Sequence, residues 1–296
     1  MIEVVRTPEE RFIDVPDFDY APNYTEDLPG YEGLRMHLVD EGPARAGELY
    51  LCLHGEPTWS FLYRKMMPVF LQAGGRVVAL DFYGFGRSDK PVDDSVYTFE
   101  FHRNAILALI QQRNLRNITL VCQDWGGILG LTLPMEMPER FSRLIVMNTM
   151  LGTGHELTPG FIAWRQFVRD NPDFRIADLM RRACSTLTER EAAAYEAPFP
   201  DPSYRAGVRR FPDMVPDCPN AVGAAISRRA RDWLSQVWSG PTFMAIGAQD
   251  PVLAPATRAL AGLINGCPEP LELPEAGHFV QEAGEQVARA ALEYFG

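Results

Sequence analysis

Residues 118–127 read Ile-Thr-Leu-Val-Cys-Gln-Asp-Trp-Gly-Gly. The run Ile118–Cys122 is short, apolar and free of charge, the pattern of a strand buried on both faces. From Gly126 onward the pattern turns helical. A strand that bends sharply into a helix lifts the residue at the bend to the top of the sheet. The usual signature of that elbow is Gly-x-Ser-x-Gly. Here Asp124 stands in the serine's place, and Cys122, still small, in the first glycine's. The exchange alters the chemistry. A carboxylate with an ordinary pKa of about 3.9 is ionised at neutral pH. It attacks without a base and suits displacement at saturated carbon. Read alone, Asp124 is equally an N-cap of the helix that follows.

Runs of the same kind recur on either side, at 49–53, 76–80, 144–148 and 242–246, and Leu34–Asp40 alternates as a half-buried strand does. Helical patterns cover 100–113, 126–137 and 280–295. Strand and helix in alternation predict an α/β fold, a mostly parallel sheet flanked by helices. Between 149 and 239 the buried runs stop, and Arg, Ala, Pro and aromatic residues take over. An insertion so late in such a sheet sits over the strand ends where open α/β sheets bind ligands. The expected organisation is a core of 1–148 and 240–296 with a helical cap of 149–239.

Two further turns give Asp124 its company. Gly247-Ala248-Gln249-Asp250-Pro251 follows the next-to-last strand, and Glu275-Ala276-Gly277-His278-Phe279 the last. Nucleophile, acid, histidine is the chain order of the α/β-hydrolase triad. His37, His102 and His155 lack such a setting and read as structural. The turn His54-Gly55-Glu56 after an early strand supplies one oxyanion-hole N–H in this fold, so the Glu56 and Trp125 N–H groups form the expected pair. The Glu56 side chain has two level readings, a group that orients a water or a neighbour, or a solvated loop charge. Asp81 also ends a strand, but it precedes the nucleophile in the chain and reads as a structural turn. Gly84-x-Gly86 beside it is too short for a dinucleotide site.

The 296 residues carry a net charge of −11, which argues against nucleic acid and anionic membranes as partners. The opening MIEVVRTPEERF has acidic residues and no long apolar core, unlike a signal peptide. The charge-free stretch 233–249 is broken by Ser-Gly-Pro and cannot span a membrane. Five cysteines without a Cys-x-x-Cys pair suggest a reduced, cytoplasmic protein with no zinc, and Cys52 and Cys122 read as small buried hydrophobes. A monomer is expected.

HGEPTWSFLYRKM, DFYGFGRSDKP, YTFEFHRN, LRNITLVCQDWGG, FMAIGAQDPVL, LINGCPEPLE and EAGHFVQE together closely resemble the haloalkane dehalogenases, in particular the type that hydrolyses 1,2-dichloroethane. The resemblance runs over nearly the whole chain. QDWGG alone is less specific, because epoxide hydrolases carry a similar aspartate elbow. The resemblance implies hydrolysis of short haloalkanes to alcohol, halide and a proton through an ester on the enzyme, with no metal or cofactor. It implies Asp124 as nucleophile, His278 as base and Asp250 as its partner. It also implies Trp125 and Trp164 as halide donors, and a pocket of Phe161, Ile128, Phe211, Pro212, Val215 and Leu253. Trp233 and Trp238 read as cap packing. In sister enzymes the triad acid can follow the strand that here ends in Asn148, which is not ionised, so Asp250 takes the role. Two departures bear on substrate: the stretch 149–161 is shorter than in the dichloroethane enzyme, and Ile128 stands where that enzyme has Phe. An epoxide hydrolase would need a cap tyrosine, Tyr195 or Tyr204, to protonate the alkoxide. A non-catalytic receptor on the same scaffold is at odds with the intact triad.

Overall fold

The apolar runs become the sheet. A computed structural model describes residues 2–296, and among them eight strands form one sheet. They are β1 (Asn23–Thr25), β2 (Met36–Glu41), β3 (Leu49–Leu53), β4 (Arg76–Leu80), β5 (Ile118–Gln123), β6 (Phe141–Met147), β7 (Thr242–Gly247) and β8 (Leu271–Leu273). Their spatial order is β1-β2-β4-β3-β5-β6-β7-β8. Within this sheet pairing is antiparallel where β2 meets β1 and β4, and parallel elsewhere. Every residue of β3, β5 and β7 is buried, as strands covered on both faces must be. Cys52 and Cys122 are free thiols inside this core.

The register places the chemistry. Leu53 pairs with Cys122, Gln123 with Met147, and Gly247 with Leu273. The turns that carry Glu56, Asp124, Asn148, Asp250 and His278 therefore all leave from one edge of the sheet.

Three helical spans differ from the sequence expectation. The helix after the elbow, α3 (Trp125–Gly130), stops well short of Met137. Thr132 and Leu133 donate three residues back, so the chain tightens into turns before Pro134, whose ring disfavours helix in the residue ahead of it. The C-terminal span opens with a 3-10 turn, Val280–Ala283, before α10 (Gly284–Phe295). The third, α2 (Phe99–Gln112), is the expected helix moved by one residue, with Thr98 accepting from the Phe101 N–H as N-cap. Two helices have no counterpart in the sequence reading, α1 (Met67–Gln72) and α9 (Ala254–Leu263).

Between β6 and β7 the chain forms α4 (Pro159–Asp170), α5 (Ile176–Ala183), α6 (Glu189–Glu196), α7 (Ala206–Met214) and α8 (Ala224–Gln236), with no strand among the described residues. These helices are tied to the sheet by polar contacts. The Trp59 indole donates to Ala194 O at 3.0 Å. Arg64, fully buried, bridges Glu282 of the core and Glu191 of α6, each at 2.7 Å, and Tyr195 donates to Glu282 at 2.5 Å.

Both carboxylates titrate below their ordinary range. Burial opposes their ionisation, but Arg64 outweighs it, and Thr188 helps to hold Glu191 at about 2. A folded pKa below the unfolded one stabilises the protein above about pH 4.3 and is lost as pH falls towards 2. Arg64→Met should cost about 3 kcal/mol at pH 7 by leaving two acids to Lys65 alone, 2.8 Å from Glu282 and 3.8 Å from Glu191. The melting temperature should fall by about 8 °C. Scanned again at pH 3, still above the Glu191 pKa of about 2, the gap between variant and parent should narrow to about half. An equal gap at both pH values would assign Arg64 to packing rather than charge.

Candidate active site

At the elbow Asp124 has φ +49° and ψ −125°, a left-handed conformation that a non-glycine residue holds only when its surroundings enforce it. Here they do. Its N–H donates to Asn148 O at 3.0 Å, and its carbonyl accepts the Thr149 hydroxyl at 2.7 Å. The helix start lies so close to β3 that a Cβ on Gly126 would strike the Leu53 carbonyl oxygen. A Cβ on Gly55 would strike the Asp124 carboxylate.

The carboxylate is thereby aimed between two backbone donors and a histidine. Oδ1 accepts the Glu56 N–H at 2.8 Å, and Oδ2 stands 3.8 Å from His278 Nε2, beyond hydrogen-bond reach. Burial raises the Asp124 pKa above its ordinary value; His278 and the N–H groups of Trp125 and Glu56 pull the other way. His278 Nδ1 lies 2.8 Å from Asp250 Oδ2. Asp250 also accepts from the Asn148 amide at 2.9 Å and from the Val252 and Leu253 N–H groups. Although burial opposes ionisation, His278 and these donors hold it well below the carboxylate range. Burial likewise disfavours the His278 imidazolium, yet Asp250 and Asp124 prevail and raise its pKa above 6.5.

A cavity of about 210 Å³ opens on this group. Asp124, Glu56 and His278 form its floor, and Phe161, Trp164 and Leu179 its cap side. Ile128 and Leu253 line it as expected. Phe211, Pro212 and Val215 do not. Phe211 is fully buried among Phe85, His102 and Trp125, with ring centroids 4.7–4.9 Å apart. Arg165 ties Pro212 O and Val215 O to α4 instead. Of the two tryptophans only Trp164 is in the cavity wall; Trp125, 2% exposed, stands edge-on to Phe211 behind it.

Glu56 resolves its two readings. The side chain is buried and Oε1 has no hydrogen-bond partner, so it is no solvated loop charge; burial and Asp124 push its pKa well above the ordinary range. Asp81 is the structural turn expected. It accepts from His37 at 2.7 Å and from the Ser60 and Arg87 N–H groups. Tyr195 is committed to Glu282, and neither it nor Tyr204 lines the cavity. Trp238 donates to the Thr242 hydroxyl and packs on Trp233.

Gln123 is the residue the sequence reading missed. Fully buried, it presents its amide nitrogen to His278 Nε2 at 2.8 Å and to His278 O at 3.2 Å. As the last residue of a buried run it carried no signal except polarity where an apolar residue is usual.

A family model described as alpha/beta hydrolase fold matches residues 50–285. A haloalkane dehalogenase of Psychrobacter cryohalolentis is 42% identical over 99% of this chain and 98% of its own. The chain belongs to the haloalkane dehalogenases. A second relative, the haloalkane dehalogenase of Mycolicibacterium paratuberculosis, is 39% identical over the same shares. The solved structure of the haloalkane dehalogenase DpaA from Paraglaciecola agarilytica, described as tetrameric, superposes with a TM-score of 0.97 at 52% identity over 99% of this chain and 98% of that one. This dehalogenase family member is thus a hydrolase of the alpha/beta fold.

Proposed function

We propose that Asp124, His278 and Asp250 hydrolyse short haloalkanes in two steps, with Asp124 as nucleophile. The carrying observation is a carboxylate, not a hydroxyl, at the strained elbow, with one oxygen bound to a backbone N–H and the other free. In the first step Oδ2 attacks the halogen-bearing carbon, the C–O bond forms as the C–halogen bond breaks, and halide leaves with the electron pair. Trp164 donates its indole N–H to the departing halide from the cavity wall; Trp125, behind that wall, enters the scheme as the second donor that the family resemblance implies. Neutral donors stabilise developing charge without holding the product as tightly as Arg would. In the second step neutral His278 takes a proton from water, which attacks the Asp124 carboxyl carbon. Charge gathers on Oδ1, already seated at the Glu56 N–H, with the Trp125 N–H as second donor. Collapse breaks the bond from the carboxyl carbon to the alkoxide oxygen, the alkoxide takes the proton from His278 and leaves as alcohol, and the Asp124 carboxyl gives up its remaining proton to solvent.

The epoxide-hydrolase reading lacks its proton donor, since neither Tyr195 nor Tyr204 faces the cavity. Every group in the scheme comes from one chain, so we take the monomer as a complete catalyst, although DpaA is described as tetrameric. No described helix is long and apolar enough to cross a membrane. Five free cysteines support a reducing compartment, which we take to be the cytoplasm.

The decisive experiment separates the steps. His278→Gln should release about one halide per enzyme and stop, with the alkyl group trapped on Asp124 and visible by intact mass. A folded variant that binds substrate and releases none would give His278 an earlier role and overturn the scheme.

The raised His278 pKa adds a pH signature. In the ester Asp124 carries no charge, but Asp250 still favours the imidazolium, which cannot accept a proton, so steady turnover should decline on an acid limb set by His278 in that intermediate. The single-turnover halide burst, which needs only Asp124, should persist to lower pH. Superimposable profiles would contradict the division of labour.

Trp164→Phe keeps the ring and removes the donor. Turnover of a chloroalkane should fall about a hundredfold, the cost of losing one such donor. The bromide analogue should suffer less, being the better leaving group. Unchanged turnover and halide affinity would return Trp164 to cap packing.

A further inference from the structure

The imidazole of His278 is held at both ring nitrogens. Nδ1 lies 2.8 Å from Asp250 Oδ2, and Nε2, the atom that is to take the proton from water, lies 2.8 Å from the amide nitrogen of Gln123. That nitrogen also donates to the His278 carbonyl oxygen at 3.2 Å. The carbonyl contact fixes the sense of the other one. A backbone carbonyl only accepts, so the group turned towards it is the NH2 of Gln123 and not its oxygen. The same NH2 then faces Nε2 as a donor, and Nε2 must offer a lone pair. The ring that fits is the neutral tautomer with its proton on Nδ1, directed at Asp250. An imidazolium fits badly, because its Nε2–H would point into the N–H bonds of Gln123. Turning the amide over would bring Oε1 against the His278 carbonyl oxygen. It would also leave the NH2 in the buried place where Oε1 now has no partner.

We propose that Gln123 is a positioning residue that selects the neutral, Nδ1-protonated form of His278 and so keeps the base of the second step free of a proton. The inference rests on the function proposed above, in which His278 is that base. Gln123 works against its neighbours. The charged and titratable groups that share the cavity floor with the ring are Asp250, Asp124 and Glu56. Burial disfavours the imidazolium, whereas Asp250 and, while it is ionised, Asp124 favour it. Burial and Asp124 push the Glu56 pKa well up, towards the neutral acid. In the 3-10 turn after His278, Glu282 is taken by Arg64 and Lys65. The cap side offers Trp164, Leu179 and Ala183, none of which carries charge. Among the described residues Gln123 is the only donor on Nε2. In the ester, where the charge of Asp124 is gone, Gln123 stands against Asp250 alone. After His278 has taken the proton of water, the same misfit drives that proton on to the departing alkoxide.

Gln123→Leu and Gln123→Met both keep the bulk and remove the donor. The ring nitrogens of His278 would be titrated by 15N NMR in the substrate-free enzyme, the signal being the one of five histidines that His278→Gln loses. In both variants the midpoint should rise by about one pH unit, a tenfold gain in proton affinity, the worth of one hydrogen bond to the neutral ring. The acid limb of steady turnover on a short bromoalkane should move the same way. A midpoint that stays or falls would overturn the proposal. Turnover lowered equally at every pH, with the limb unmoved, would make Gln123 a packing residue and overturn it too. The parent spectrum is a test that needs no variant: above the midpoint the proton must sit on Nδ1, and a ring protonated at Nε2 would sink the inference. A parent inactive on haloalkanes would refute the proposed function instead, while the titration would still read what Gln123 does to His278.

Discussion

At Asp124 the chain must turn from strand to helix within one residue, and it does so with a backbone conformation that most side chains avoid. The strain is held by contacts from two neighbouring strand ends. β6 contributes the Asn148 carbonyl and the Thr149 hydroxyl, β3 presses its Leu53 carbonyl against Gly126, and the turn after β3 closes over the carboxylate at Gly55. None of these contacts exists unless β3, β5 and β6 are paired in their observed register. The nucleophile is therefore a product of sheet assembly, and its aim is only as good as the ladder beneath it.

The same edge sets the electrostatics. Asp250 is so fully hydrogen-bonded that it remains an anion, and its charge is passed to His278 as a preference for the imidazolium. Asp124 adds to that preference while it is ionised. Once esterified it carries no charge, and the contribution vanishes. His278 thus becomes easier to deprotonate in the intermediate, the state in which a base is required. Asn148 sits at the join. Its side-chain amide nitrogen donates to Asp250 and to Gly247 O, and its side-chain Oδ1 accepts the Gly247 N–H, so a neutral side chain fastens the acid's loop to the nucleophile's neighbour strand.

The sheet, the elbow, the acid and the histidine were legible because each is written in local pattern: an apolar run, then a turn with one unusual residue. The short C-terminal end of α3 was also local, encoded in Pro134, and was overlooked in favour of a continuous helical pattern. What the sequence hid depends on long-range packing. Phe211 reads as pocket lining by position, yet it buries itself among Phe85 and His102 and leaves the wall to Leu179 and Ala183 of α5. Gln123 meets His278 across more than a hundred residues of sequence, and nothing in its neighbours announces the contact. The Glu56 side chain stayed ambiguous for the same reason, since burial is a property of what folds over a residue.

The helices over the site are strung between β6 and β7, and these two strands are parallel neighbours, Met147 lying opposite Ala245. Geometrically the whole insertion is one crossover connection. Its ends are fixed side by side by the sheet whatever lies between them. For such a loop the entropy of closure grows only with the logarithm of length, about 0.6 kcal/mol for each doubling. Lineages can therefore lengthen or shorten the insertion with little penalty to the core, and so reshape the cavity above an unchanged set of catalytic turns. The burden falls on folding order instead: β7 and β8 can join the sheet only after a long stretch of chain has come back on itself, which makes that side of the molecule the slow one to assemble.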